Sequence, residues 1–218
     1  MEIVLATTNS HKVEEFRALL AGLPRPLTLS TMADYPEIAL PPETGATYRE
    51  NAVAKAAAVS RATGKWALGD DSGLEVEALG WQPGVRSARY AGERATDTEN
   101  RRRLLQALRS VPAARRTARF VCVLALAPPP GHSALAQTEG GEPWVVEGIC
   151  AGTIAHEEHG AGGFGYDPLF IEPVSGRTFA ELSPDEKHRV SHRGRAAREL
   201  ATRLLVEVVT RNHRIMSP

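Results

Sequence analysis

Two adjacent carboxylates follow an apolar run of the chain, Trp66-Ala67-Leu68-Gly69 and then Asp70-Asp71-Ser72-Gly73. Placing two carboxylates directly after such a run is costly for structure alone, because charged groups lose hydration when they are buried. A strand that ends at Asp70 beside a glycine-bearing turn would present carboxylate oxygens at the rim of a sheet, where Mg²⁺ and phosphorylated ligands bind. The same residue types also form ordinary turns, and the tetrapeptide alone favours a turn. The chemical interpretation therefore depends on the other polar segments.

A second polar stretch, Thr7-Thr8-Asn9-Ser10-His11-Lys12, joins a short apolar strand to a helical pattern. Its small side chains let the backbone approach a ligand. The helix N-terminus offers unpaired N–H groups and a positive dipole end to an anion, and Lys12 adds a full charge. The stretch lacks the glycine pattern of a P-loop. Both a phosphate site and an ordinary helix cap explain it.

A third segment, Glu43-Thr44-Gly45, precedes a predicted helix over 47–63. Tyr48, Asn51 and Lys55 share one face of that helix, because residues three and four apart are neighbours on a helix surface. Such a face is plausible as the wall of a polar pocket. Considered alone, it favours a solvated helix face.

A fourth segment, Gly162-Gly163-Phe164-Gly165-Tyr166-Asp167-Pro168, combines glycines with two aromatic residues. Phe164 and Tyr166 offer flat surfaces on which a nucleobase could stack, and Asp167 offers a carboxylate for its polar edge. The alternative is a plain glycine-rich hairpin, but it does not account for the two aromatic residues and the Asp-Pro pair as well as a base site does. The segment therefore favours a shaped base site.

A fifth segment contains Lys187 and then Ser191-His192-Arg193-Gly194 at a helix start. Ammonium, imidazole and guanidinium groups suit a phosphate, or the carbonyl and ring nitrogens of a purine. His188 and His192 have a spacing that could bind a transition metal, but no third His or Cys lies nearby. Phosphate or base binding is the favoured interpretation.

These segments must be positioned by a mixed set of strands and helices. Apolar runs predict strands over 2–7, up to Asp70, over 74–79, over 119–127 and over Trp144–Ile154. Helical patterns cover 47–63 and 96–108, Ser183-Pro184-Asp185-Glu186 has the sequence of a capping box, and Ser191 starts a final helix. The order predicts a mixed α/β fold without internal repeats.

Bulk composition limits the class of protein. The chain has 218 residues, enough for one large domain or two closely joined lobes. Lys+Arg and Asp+Glu both number 26, so no net charge recruits a nucleic acid. The sequence shows no basic leader that would predict secretion and no apolar run long enough to predict a membrane span. Cys122 and Cys150 lie in apolar runs, which predicts that they are buried thiols of a cytoplasmic protein.

Together the segments resemble the inosine/xanthosine triphosphate pyrophosphatase family, enzymes that hydrolyse aberrant purine nucleoside triphosphates. The resemblance runs almost end to end and also includes Pro83-Gly84-Val85, Ser87-Ala88-Arg89-Tyr90 and Glu181-Leu182. His11 and Trp81 depart from it, since many members have glycine at both positions. The resemblance implies a single domain over 1–218, with two lobes around a long curved mixed sheet, flanking helices, a cleft between the lobes and no independent linker.

The resemblance also implies an activity, a cofactor and a set of site residues. The activity is Mg²⁺-dependent cleavage of a nucleoside triphosphate to monophosphate and pyrophosphate by a cytoplasmic homodimer. Glu43, Asp70 and Asp71 would bind the metal, and Asp71 would activate the attacking water. The implied substrate-binding residues are Thr7, Thr8, Asn9, Ser10, His11, Lys12, Asn51, Lys55, Ser72, Phe164, Gly165, Tyr166, Asp167, Lys187, His192 and Arg193.

Three other functions remain open at this point. The first is a pyrophosphatase for other modified nucleotides, which only a substrate panel would separate. The second is a nucleotide-binding module without catalysis, against which the three carboxylates argue. The third is a nucleic-acid binder that uses the arginine-rich stretches 101–103 and 193–198, against which the neutral charge argues.

Overall fold

The structure is a computed structural model that describes residues 2–21, 27–132 and 143–215, with side chains through Leu205. The strands found in these residues are β1 (Glu2–Ala6), β2 (Thr28–Thr31), β3 (Trp66–Val76), β4 (Gln82–Pro83), β5 (Thr117–Ala127), β6 (Trp144–Ile154) and β7 (Phe170–Ile171). The α-helices are α1 (Ser10–Leu20), α2 (Tyr48–Thr63), α3 (Asp97–Ala107), α4 (Pro184–Val190) and α5 (His192–Ile215).

The strands form a mixed sheet in the order β2-β1-β3-β5-β6-β7, with β4 paired to β3. β1 runs parallel to both β2 and β3, whereas β4 and β7 are antiparallel to their neighbours. β5 is buried along almost its whole length, which explains why its sequence is continuously apolar over 120–127 rather than alternating. The mixed α/β fold predicted from the sequence is confirmed.

The chain divides into two compact units, and each has its own core. The first comprises Met1–Asp71, Val123–Glu147 and Arg195–Pro218, and the second comprises Ser72–Cys122 and Gly148–Gly194. A small core cluster of the first unit consists of Val4, Ala6, Met32, Val59 and Ala67. The larger core cluster of the second unit includes Leu74, Leu104, Phe120, Phe170 and Phe179. The boundaries between the units fall inside β3, β5 and β6 and near the start of α5.

β3 differs from the sequence prediction. It continues through Asp70-Asp71-Ser72-Gly73 to Val76, so the predicted strand end at Asp70, the turn and the separate strand over 74–79 were wrong. Neighbouring strands on both sides supply hydrogen bonds to its backbone, and these outweigh the turn preference of Asp, Ser and Gly. The two carboxylates therefore lie within a strand.

The capping box predicted at Ser183 is confirmed, and Thr47 and Thr96 form the same arrangement. Thr47, Thr96 and Ser183 each accept a hydrogen bond from the backbone N–H of the glutamate three residues later, and each glutamate bonds back. Pro184 occupies the first helical position of α4, where its missing N–H costs nothing. α1 begins after Asn9, whose side chain accepts from the N–H of Lys12 at 3.2 Å. These caps fix where the polar segments lie.

Candidate active site

The first polar cluster lies in the first unit, around the two carboxylates of β3. Asp70 and Asp71 are 1% and 4% exposed. Asp70 forms a hydrogen-bonded ion pair with Lys12, in the first turn of α1. The predicted polar turn is therefore a helix N-terminus beside a buried carboxylate. On this turn Thr7 accepts from the N–H of Asn9 at 3.2 Å, while Thr8, Ser10 and His11 are exposed.

α2 contributes two more polar side chains to this cluster. The Asn51 amide donates to Asp71 Oδ2 at 2.8 Å and accepts from the Gly45 N–H at 2.8 Å. Lys55, one turn further along α2, pairs with Glu43 at 2.5 Å. Tyr48, Asn51 and Lys55 are all buried. The solvated helix face that this segment alone favoured was therefore the wrong alternative.

Burial controls the electrostatics of Asp71. It raises the pKa of this carboxyl from 3.8 to about 6, because the ionised form is poorly hydrated. Lys55 and the Asn51 hydrogen bond act in the opposite direction without cancelling it, and the negative charge of Glu43 adds to the rise. Asp71 thus has a pKa close to neutral pH, which suits a general base.

Two carboxylates of this cluster form ion pairs with lysines. Asp70 faces Lys12 and Glu43 faces Lys55. Among the described residues, no three His, Cys, Asp or Glu side chains are arranged to hold a metal ion. The predicted convergence of Glu43, Asp70 and Asp71 on one ion stays a prediction.

The donor chemistry nevertheless fits a hard dication. Mg²⁺ binds oxygen ligands, typically needs only one or two protein carboxylates and keeps several waters. Asp70 and Asp71 are adjacent in β3 and both buried. A nearby dication would favour the ionised form of Asp71, whose pKa burial raises to about 6.

The second polar cluster lies in the second unit, around the ring of Phe164. Lys187 Nζ lies 5.0 Å from the centre of this ring and Arg193 Cζ lies 5.6 Å from it. Both distances are within the range of cation–π contacts. Arg193 is buried and donates to Ser72 Oγ at 2.9 Å. Lys187 is buried as well and pairs with Asp167 at 2.6 Å. The structure thus brings together residues from three of the predicted segments.

Asp167 shapes the glycine-rich loop from within. Its Oδ2 accepts from the N–H of Phe164 at 2.9 Å in addition to its pair with Lys187. Gly163 has a φ of +70°, and a Cβ on it would lie 2.1 Å from Asp167 Oδ2. Only glycine fits there. Asp167 is therefore buried and holds the loop from within, and its contact with the edge of a base stays a prediction.

Tyr166 and His192, two of the predicted substrate-binding residues, are both buried. Tyr166 is buried in the core, and its hydroxyl donates to the Ser87 carbonyl at 2.8 Å. Burial raises the pKa of this phenol, so it stays neutral. Tyr166 therefore offers no open stacking face, unlike the partly exposed Phe164. His192 is buried in a stack, 4.6 Å from the Phe120 ring and 6.4 Å from that of Phe179.

The sequence prediction missed several residues around this cluster. Phe120 and Phe179 hold His192, but in the sequence they are indistinguishable from ordinary core aromatics. Asp97 and Arg101 of α3 bond to the backbone of Gly165. Their charged side chains looked like those of any exposed helix, and only the fold places them beside the loop.

Comparison with known proteins gives a consistent result. The Ham1 family model matches residues 3–203. A dITP/XTP pyrophosphatase of Thermus thermophilus is 51% identical over 200 residues, covering 92% of this chain and 90% of that protein. One of Geobacillus kaustophilus is 48% identical over 199 residues, covering 91% and 92%.

Solved structures of Ham1 proteins have the same fold as this chain. A HAM1 protein from Coxiella burnetii superposes with a TM-score of 0.81 at 42% identity, covering 94% of this chain and 98% of its own. The Ham1 protein of Staphylococcus aureus gives a TM-score of 0.78 at 36% identity, covering 95% and 100%. Sequence and fold thus match over nearly the whole length, and the chain belongs to the Ham1 family.

Proposed function

We propose that this protein is a nucleoside triphosphate pyrophosphatase that hydrolyses non-canonical purine nucleotides, namely dITP, XTP and ITP, to the monophosphate and pyrophosphate. The observation that carries this proposal is the identity of 48% and 51%, over about nine tenths of both chains, with relatives named dITP/XTP pyrophosphatase. The two polar clusters supply groups that this chemistry needs.

Asp71 is the general base of the reaction. Its pKa of about 6 leaves it mostly ionised at neutral pH, yet basic enough to take a proton from water. The amide of Asn51, 2.8 Å from Oδ2, holds the carboxylate in one orientation. The water that loses its proton to Asp71 forms a bond to the α-phosphorus. The bond between the α-phosphorus and the oxygen that bridges it to the β-phosphate breaks, and pyrophosphate leaves with that electron pair.

Lys12 and Lys55 neutralise the phosphates. Each pairs with a carboxylate in this structure, and a triphosphate with several negative charges competes for both. The exposed N-terminal turn of α1 adds N–H groups and a positive dipole end. These groups act most strongly on the leaving pyrophosphate, because its charge grows in the transition state.

Asp70 and Asp71 are the carboxylates that would hold Mg²⁺, with Glu43 as a further candidate. When bound, the ion neutralises phosphate charge and lowers the pKa of a coordinated water. Removing divalent ions with EDTA should abolish turnover, and Mg²⁺ should restore it while Ca²⁺, which is larger, should restore less. Full activity in EDTA would contradict this part of the proposal.

Lys187 and Arg193 select the base. Both are donors, and they lie over the partly exposed ring of Phe164. Inosine and xanthosine carry a carbonyl acceptor at purine position 6, where adenosine carries an amino donor. Donors in the protein pair with the carbonyl and leave the adenine amino group facing other donors, which costs affinity.

We also propose that the protein is a homodimer in the cytoplasm. Cys122 and Cys150 are buried thiols without a disulfide, as in a reducing compartment. The dimer rests on the family resemblance, and light scattering on the purified protein measures it directly. Among the described residues, no helix combines the length and apolarity that crossing a membrane requires.

Product analysis tests the reaction. Phosphorus NMR of a dITP digest should show deoxyinosine monophosphate and pyrophosphate in equal amounts, with no orthophosphate. The Asp71→Asn variant, prepared identically, should leave dITP intact and so exclude a contaminating phosphatase. Release of orthophosphate or of a diphosphate by the wild-type protein would overturn the proposed reaction, and absence of any turnover would overturn the enzyme assignment.

A further inference from the structure

Helix α3 holds the glycine-rich loop by the backbone of a single residue, Gly165. The N–H of Gly165 donates to Asp97 Oδ2 at 2.7 Å, and its carbonyl accepts from Arg101 Nη1 at 2.9 Å. Asp97 and Arg101 are four residues apart and thus neighbours on one face of α3. Both polar backbone groups of Gly165 are therefore bonded to charged side chains, which make stronger hydrogen bonds than neutral ones.

The start of α3 is capped by residues other than Asp97. Thr96 caps α3 by accepting from the N–H of Glu99 at 3.3 Å, and the Glu99 carboxylate accepts from the N–H of Thr96 at 2.7 Å. This reciprocal box satisfies the helix start. The carboxylate of Asp97 is directed to the loop instead.

The guanidinium of Arg101 is fixed in its orientation by two further partners. Its Nη2 donates to Thr98 Oγ1 at 3.1 Å, and its Nε lies 3.0 Å from Glu158 Oε2. A planar guanidinium with partners on several sides loses little further freedom when it binds the Gly165 carbonyl. Arg101 is thus a preorganised donor.

These contacts set the position of Phe164, the residue before Gly165. The N–H of Phe164 is bonded to Asp167, so both peptides that flank this residue are held. Gly165 has a φ of +59°. This value lies in the left-handed region that favours glycine, and it turns the chain directly after the aromatic ring. The ring therefore sits between two fixed points, against Lys187 and Arg193.

We propose that Asp97 and Arg101 are positioning residues for base recognition: by holding the Gly165 peptide they set where the Phe164 ring lies relative to Lys187 and Arg193. The inference rests on the proposed function, since it assumes that this cluster binds the base. Contacts to the base are the same in the ground state and the transition state, so the pair acts on KM and selectivity rather than on kcat.

Alanine variants of Asp97 and Arg101 test this, with Asp97→Asn as the conservative rescue and Arg102→Ala as the control, because Arg102 is the exposed neighbour on α3. Asp97→Ala and Arg101→Ala should each raise KM for dITP roughly tenfold while kcat stays within about twofold. Asp97→Asn should remain close to wild type, since its amide oxygen still accepts from Gly165. Arg102→Ala should change neither constant.

Calorimetric titration separates base binding from phosphate binding without using activity. The alanine variants should bind inosine monophosphate roughly tenfold more weakly and pyrophosphate unchanged. Hydrogen exchange of the 162–168 peptide should speed up in these variants and not in Arg102→Ala. If Arg101→Ala does not fold, Arg101→Lys carries the test, because an ammonium keeps the charge but lacks the planar fork that reaches the Gly165 carbonyl while lying beside Glu158.

Wild-type KM and monophosphate affinity in both alanine variants would overturn the inference. Equal loss of monophosphate and pyrophosphate binding, or a fall in kcat with unchanged KM, would overturn it as well, because either result indicates a general structural role. A wild-type protein that neither turns over dITP nor binds the monophosphate would overturn the proposed function and this inference together. The wild-type measurement thus distinguishes the two failures.

Discussion

At the scale of single residues, the pKa of Asp71 connects the chemistry of the first cluster to its stability. The folded protein raises this pKa to about 6, from 3.8 in an ordinary environment. Below about pH 4 the carboxyl is protonated in the folded and unfolded states alike, so it costs nothing. As the pH rises through 6, the folded state must ionise a buried group that the unfolded state ionises readily. Stability therefore falls between these values and stays lowered above them.

We accordingly expect Asp71→Asn to be more stable than wild type at about pH 8, by on the order of 2–3 kcal/mol, and to lose this advantage near pH 3.5. The amide keeps the volume of the carboxylate and can still accept from Asn51. Urea unfolding in EDTA at both pH values measures the two differences. An advantage that is the same at both values would show that ionisation of Asp71 is not its cause.

The same substitution should remove catalysis. We expect kcat for dITP to fall on the order of 100-fold or more in Asp71→Asn, the usual scale for loss of a general base. Wild-type kcat/KM should rise with pH as Asp71 ionises and should level off at or below about pH 6, because a bound dication favours the ionised carboxylate. Asp185→Asn, an exposed aspartate of α4, is the matched control and should change neither quantity. Turnover near wild type in the Asp71 variant would exclude this residue as the base.

Residue types predicted the chemistry of the site better than its geometry. Helical spacing placed Asn51 and Lys55 on one face, but spacing cannot say whether a face meets solvent or a buried carboxylate. Likewise, Phe164 and Tyr166 looked equivalent in sequence. The fold buries Tyr166 against Ser87 and leaves Phe164 beside the two cations. Such differences depend on tertiary contacts, which no local pattern encodes.

At the scale of elements, β3 carries the carboxylates, and its packing against α2 determines where they lie. A Cβ on Gly69 would lie 2.1 Å from the carbonyl oxygen of Ala52 in α2, so the helix backbone contacts the strand directly. This close approach also positions Asn51, the neighbour of Ala52 in α2, so that its amide reaches the Asp71 carboxylate. The sequence predicted both elements but not their contact, since a glycine before Asp-Asp resembles a turn residue.

We therefore expect Gly69→Ala to lower the free energy of unfolding by more than about 3 kcal/mol, because backbone atoms would have to move. Gly80→Ala is the control, because Gly80 has a φ of +63° and a Cβ on it would meet nothing within 4 Å. Its substitution should add only backbone strain, on the order of 1–2 kcal/mol. Chemical denaturation of both variants gives the comparison. Equal losses would mean that β3 and α2 are not in such close contact.

At the scale of the whole molecule, the chain crosses between its two units within secondary-structure elements rather than at linkers. The crossings lie in β3, β5 and β6 and near the start of α5. One crossing lies between Asp71, a residue of the first cluster, and Ser72, which accepts a hydrogen bond from Arg193. These two residues are consecutive in the sequence. The single domain over 1–218 that the resemblance implies stays a prediction, and cooperative unfolding would be its signature.

Selectivity for the base is the central claim of the account, and kcat/KM for dITP, XTP, ITP, ATP and GTP tests it most directly. We predict at least ~100-fold higher efficiency on the first three nucleotides than on ATP or GTP. Because guanine shares the carbonyl at position 6, the rejection of GTP must act on its 2-amino group, through crowding or an unmatched contact near Phe164 and Asp167. In Arg193→Ala most of this preference should disappear, because the favoured substrates slow while ATP barely changes. A wild-type protein that treats ATP and ITP alike would contradict the account and indicate a general nucleotide pyrophosphatase.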